Sequence, residues 1–273
     1  MDSNTITALA TGLLAVVGFT QIKILITQNR QSQLGFIEEY RKRWLESRRD
    51  WGAIIFIGRY EDAYYQVVKE EIVKEFILLR DKTNNHSPSI WALDSARIVF
   101  TTLSDICIKI LKNQLDISDV YPIFGTELLR NSKPLRILLD NSYHDIYYQN
   151  DNSKHKKVRT EVQDWLIYHD GIRRRCLILI DLLWAEATHL EDLPPSDVKD
   201  AADAKNKSGN LNRKRLYNEC VQLNGHLNFL AASKLSKFLK HSEYQVSCSQ
   251  IGINKNKLKK QEKEWTDRLL GRY

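Results

Sequence analysis

The sequence predicts an all-α protein in which an N-terminal transmembrane helix continues into a helical-bundle cytosolic domain. Three observations carry this expectation. The 273 residues include only 5 Pro and 11 Gly, the residues that most often end helices. Apolar residues recur three and four positions apart, and the alternation of a half-buried strand is essentially absent. From Ser3 to Ile22 there are 20 consecutive residues without a charge. At about 1.5 Å per residue they make roughly 30 Å of helix, the thickness of a hydrocarbon core.

The span is expected over residues 5–27, after a short extracytoplasmic N-terminus at 1–4. A cleaved signal fits poorly, because Asp2 and no Lys or Arg precedes the apolar stretch, the reverse of a signal's charge. A core helix of a soluble protein is the other reading of 6–26, favoured by Thr7, Thr11, Thr20 and Gln21. Lys23, Arg30, Arg41, Lys42, Arg43, Arg48 and Arg49 all follow the span. The positive-inside rule therefore puts the N-terminus outside and the rest in the cytoplasm, at a cell inner membrane. Ala8 and Gly12 are small residues one helical turn apart. They would let two spans pack closely and favour a homo-oligomer.

A cytosolic helical domain is expected over 28–193. No Pro occurs before Pro88, so the anchor should run on with Leu34, Ile37, Tyr40, Trp44 and Trp51 sharing a face. A helix follows from about Arg59 to Arg80, carrying Val67, Val68, Ile72, Phe76 and Leu79. The run from Asp81 to Pro88 is a breaker. The next helix runs from about Ser89 to Asn113. Another starts near Asp116 or Ser118, either of which can cap it. Pro134 to Tyr148 reads as a short helix, residues 150–154 as a loop, and Val158 to His189 as one long helix closed by Pro194-Pro195. The apolar run from Cys176 to Ala187 is too short to span and contains Asp181, so it reads as a core helix. A linker is expected at 194–212 and a basic helical region at 213–273, with helices over Leu211–His241 and Lys255–Leu270.

Charge is uneven along this order. Residues 1–204 carry 26 Lys+Arg against 29 Asp+Glu, whereas residues 205–273 carry 15 against 5. A basic C-terminal quarter suits an anionic surface, either lipid or nucleic acid. Lys255, Lys257, Lys259, Lys260, Lys263, Trp265 and Arg268 form the expected contact set. A basic helix with a Trp favours membrane lipid over nucleic acid when the chain is already tethered.

The stretch Leu103 to Gly125, with Leu115, Asp116, Asp119, Val120, Tyr121, Phe124 and Gly125, resembles a block in single-span bacterial membrane proteins with a helical cytosolic domain. The resemblance covers residues 1–148. It implies a membrane-anchored interaction or effector module, in bacterial stress or phage defence, with no assigned reaction.

Catalytic signals are sparse. Arg80 and His86 resemble the Arg and His pair of HEPN-type ribonucleases. There a His serves as acid or base and an Arg steadies the phosphorane-like charge. The alternative function is thus a membrane-tethered HEPN-like ribonuclease, and a further one a soluble helical nucleic-acid binder. Glu186 and His189 have the Glu-x-x-His spacing of di-iron bundles but lack a second pair, and Asp140 with His144 makes no site. No metal or cofactor is expected. The P-loop, dinucleotide, zincin and nucleophile-elbow motifs do not occur. Arg173, Arg174 and Arg175 could hold phosphate or pair with an acid such as Asp170. The four widely spaced cysteines read as core residues of a reducing compartment.

Overall fold

A computed structural model describes residues 3–59, 69–82, 90–140, 155–190, 194–225 and 229–239, with the isolated residues 260, 263, 264 and 267. Among these the chain is helical and contains no strand, as the sequence predicts. It divides into two units, Met1–Lys42 and Arg43–Tyr273.

The first unit is helix α1 (Ser3–Glu46), whose last turn opens the second unit. The helix stops at Ser47, one residue before α2 (Arg48–Ile57). Trp44 and Trp51 therefore belong to two successive helices, and with Tyr40 both are buried. Their rings meet, with centroids 4.6 Å apart, and the Ser47 and Trp51 amides still donate to the carbonyls four residues earlier, at 3.0 and 2.9 Å, across the interruption. Leu34, expected on the same face, is exposed.

Helix α2 is the centre of the second unit, with Trp51 to Ile57 all buried. It packs against α4 (Ile90–Leu111) and α7 (Ser132–Leu139). Its C-terminal glycine touches α7 directly. A Cβ on Gly58 would stand 2.5 Å from the Pro134 carbonyl oxygen, so the backbones approach as only glycine allows. Helix α3 (Glu70–Lys82) buries Val73 and Phe76. The Phe76 ring lies parallel to Trp91 and near Phe56, at 6.1 and 5.9 Å.

Helix α4 turns Ala92, Ala96, Val99, Phe100, Leu103, Ile106, Cys107 and Ile110 inward, the three-four spacing of a core stripe. Its end is set by Asn113 in the left-handed region, φ 60°. The Asn113 amide donates to Ile110 O and the Gln114 amide to Lys109 O, at 2.9 and 2.8 Å. This is the Schellman pattern, and asparagine is the residue that tolerates it after glycine.

The following helix is three short pieces rather than one. Helix α5 (Ile117–Val120) opens into a widened π turn at Tyr121–Gly125 and then α6 (Thr126–Arg130). Pro122 explains the widening, since it lacks an N–H and its ring crowds the carbonyl one turn earlier. Asp116 stands at the N-cap with extended backbone, but its side chain makes no capping bond. Gly125 is required by its own turn: a Cβ there would lie 2.3 Å from the Tyr121 ring.

The expected helix Val158–His189 is two helices, α8 (His155–Tyr168) and α9 (Ile172–His189). Gly171 at φ 69° makes the corner between them. Helix α8 places Arg159, with no exposed surface, so that its Nε donates to Ile57 O at 3.3 Å. Gln163 donates to Ile137 O at 2.9 Å. One helix thus supplies donors to carbonyls at the ends of α2 and α7, which lack intrahelical partners. Helix α9 is buried from Cys176 to Leu183 and packs most extensively on α4, as a core helix.

The stretch expected as a linker is helical from Pro195. Helix α10 (Pro195–Asn224) begins sixteen residues before Leu211, with proline at its first position where the missing N–H costs nothing. It ends at Gly225, φ 75°, so the expected helix Leu211–His241 is divided, and α11 (Phe229–Phe238) packs back on α10. Residues 60–68, 83–89 and 141–154, which hold parts of the expected helices, the breaker and the loop, lie outside the described residues.

Candidate functional site

Three features are candidates: the apolar part of α1, a salt-bridge cluster at the start of α9, and a polar groove between α2 and α4.

In α1, Leu13, Leu14, Val16, Val17, Phe19, Ile22, Ile24, Leu25 and Ile26 are all exposed. They occur at nearly consecutive positions, so they surround the helix instead of forming one stripe. Such a helix has no polar face to give to water. From Thr11 to Glu46 it is long and apolar enough to cross a membrane, and none of its most apolar window is buried within the protein. Its hydroxyls fit that environment. Thr20 and Thr27 each donate to the carbonyl one turn earlier, Val16 O and Lys23 O, at 2.9 Å. Those polar atoms are satisfied without solvent. Gly12 has open space around it, whereas the side chain of Ala8 lies outside the described residues.

The expected arginine triplet lies in the first turn of α9 rather than mid-helix, and it is engaged. Arg173 donates to Leu139 O at the end of α7 and lies 3.8 Å from the Asp140 carboxylate. Arg174 and Arg175 both meet Glu219 of α10, Nε to carboxylate, at 3.1 and 2.8 Å. Arg175 also reaches Asp170 through the backbone carbonyl at 3.2 Å, not through its carboxylate. Glu219 is almost completely buried. Asp181, the polar residue in the apolar run, pairs with Arg136 of α7. The buried carboxylates of Glu219 and Asp181 are therefore met by arginines from other helices, two and one respectively, as burial of charge demands. This arrangement is built to join helices, and all four arginines bridge to carboxylates 33 to 45 residues away.

The groove is a cavity of about 450 Å³ lined by Arg43, Glu46, Asp50, Arg97, Thr101 and Asp105 among others. The Asp50 carboxylate accepts from Ser95 Oγ at 2.8 Å. Burial pushes the Asp105 carboxyl above its ordinary 3.8, against the pull of Arg43, Arg175 and Lys109. Two arginines and three carboxylates leave the groove close to neutral, suited to polar groups of either sign. Local patterns in the sequence conceal it, because 43–50 and 97–105 each read as an ordinary helix surface.

The Asp105 shift makes a prediction. A carboxyl whose folded value is raised gives stability that is complete below 3.8 and is lost as pH climbs through the folded value. At neutral pH its ionised form is a cost. The Asp105→Asn variant should therefore melt higher than the parent at neutral pH, and the advantage should vanish in acid below the ordinary carboxylate range. A lower melting temperature at neutral pH would contradict it.

The remaining expected residues are only partly placed. Arg80 lies in the last turn of α3 with its side chain outside the described residues, and His86 is outside altogether, so the two are not seen to meet. In the tail, Lys260 pairs with Glu264 at 3.6 Å. Lys263 is exposed, while Lys255, Lys257, Lys259, Trp265 and Arg268 are outside the described residues. Burial raises the Glu186 carboxyl, opposed by His189. Among the described residues no three metal-ligating side chains gather. Cys107, Cys176 and Cys220 are buried free thiols, held above their ordinary range mainly by burial. Arg159 and Glu219 are the polar residues that local patterns do not single out.

Among the described residues the fold is an all-α bundle with one helix long and apolar enough to span a membrane. Comparison with family models, characterised proteins and solved structures finds no match.

Proposed function

We propose that this chain is a membrane-anchored interaction or effector module, held by α1 with its helical bundle at the cytoplasmic face. The observation that supports it most is the apolar, exposed stretch of α1. Basic residues follow that stretch and none precedes it, which favours an outside N-terminus and a bacterial inner-membrane location. The arginine clasps spend their charges on holding helices together, consistent with a scaffold rather than a reaction centre. Self-association through Ala8 and Gly12, and a role in stress or phage defence, extend this reading.

Deleting residues 1–28 tests it. The fragment should remain in the supernatant, give a helical circular-dichroism spectrum and unfold in one cooperative transition. A fragment that aggregates or lacks helix would show that 1–28 completes the fold, as a core helix would.

A further inference from the structure

The outer surface of α10 and α11 has an unusual composition. Between residues 209 and 239 there are five Lys or Arg and a single acid, Glu219. That acid faces inward, where Arg174 and Arg175 of α9 neutralise it. Asp197, Asp200 and Asp203 lie in the first half of α10; from residue 209 onward the helix pair presents cations to solvent with no carboxylate among them.

The exposed side is also apolar. On α10, Leu211, Lys214 and Tyr217 follow one another at three-residue spacing and are all exposed. The buried side carries Leu216, Glu219 and Cys220. It is fixed to the end of α4, where Asn224 Nδ2 donates to Leu111 O at 2.8 Å. On α11, Leu230, Lys234 and Lys237 share one exposed face by their spacing, and Phe229 beside them is exposed too. Ala232 faces inward. Leu211 and Leu230 are 66% and 71% exposed, so these are bulky apolar side chains in water rather than partly covered ones.

Over residues 209–239, large apolar groups interleaved with lysines, without exposed carboxylates, fit a surface that is anionic at its face and apolar just beneath. An ordinary solvated helix would carry both signs of charge there, and a duplex nucleic acid would use the cations but gain nothing from the exposed leucines. We infer that the outward faces of the second half of α10 and of α11 form a docking surface for anionic lipid headgroups. The inference rests on the proposed anchor in one respect: tethering keeps the surface at high effective concentration near lipid.

The test uses the full chain in nanodiscs of phosphatidylcholine alone or of phosphatidylcholine mixed with phosphatidylglycerol. Amide hydrogen exchange is read in α10, α11 and, as a control, α4. Exchange in α10 and α11 should slow by about fivefold or more in the anionic discs, with α4 unchanged. The combined Lys214→Glu, Lys234→Glu and Lys237→Glu variant should abolish that difference while keeping the α4 pattern of a folded bundle. Equal exchange in both discs would overturn the inference, as would slowing by added duplex DNA but not by anionic lipid. A chain that stays outside both discs contradicts the anchor alone. The same comparison is then made with vesicles of the two compositions, where equal exchange again overturns the docking surface.

Discussion

The Glu219→Gln variant is expected to lose about 3 kcal/mol of stability, near the lower end of the range for breaking a buried ion pair from one side. Glu219 has a 2% exposed side chain and two arginine partners. The partners differ in what they can do afterwards. Arg174 is about half exposed and can turn to water. Arg175 is only 12% exposed and keeps as hydrogen bonds, among the described residues, only Ser104 Oγ, at 3.5 Å, and the Asp170 carbonyl, with Asp105 as a remaining electrostatic partner. Glutamine retains an acceptor oxygen but not the charge, so most of the cost comes from leaving the Arg175 guanidinium without its ion-paired carboxylate. The midpoint of urea unfolding reads the loss, and exchange in α10 should rise before exchange in α4. The Arg175→Met, Glu219→Leu double variant should regain most of it, because an apolar pair needs no solvation. A loss below about 1 kcal/mol would place the clasp among exposed pairs of little consequence.

The Trp51→Ala variant should lose about 3–5 kcal/mol, the range for emptying an aromatic site in a core. Trp51 has no exposed surface, and its ring packs at 54° to Trp44, which in turn meets Phe124 edge to face at 5.2 Å. Trp51 is thus one end of an aromatic chain in which Trp44 touches both Trp51 and Phe124. The Trp44 indole donates to Glu127 Oε2 at 3.0 Å, but the Trp51 indole N–H is buried with no hydrogen-bond partner among the described residues. Phenylalanine at 51 removes that unsatisfied donor, whose burial costs about 1–3 kcal/mol, and keeps much of the ring. Trp51→Phe should therefore cost far less than Trp51→Ala in the same unfolding measurement. Equal losses would show that the indole N–H is bonded in solution.

These residues also show what the sequence makes legible. Helix α4 is readable because its apolar residues keep one stripe for 22 residues and Asn113 gives the stop. The apolar stretch of α1 is readable because a run without charge needs no tertiary context. The corner at Gly171 is hidden, since one glycine interrupts an apolar pattern that resumes in register on both sides. The start of α10 is hidden for the opposite reason. Residues 195–210 are polar and lack an apolar stripe, and the order of the helix is set by its docked second half, where Leu216, Glu219 and Cys220 are buried. The Glu219 clasp and the groove have no local signal, because each joins residues tens of positions apart. The triplet Arg173-Arg174-Arg175 announces charge in the sequence, but only the fold shows that acids on other helices answer it.

Alkaline carbonate extraction of membranes carrying the full-length chain tests the anchor most directly. Carbonate strips proteins held by charge and leaves those that span the bilayer. The account predicts that the chain stays in the pellet, and that the basic faces of α10 and α11 contribute nothing to its retention. Release into the supernatant would contradict it, and would make the exposed apolar part of α1 a surface for another protein chain.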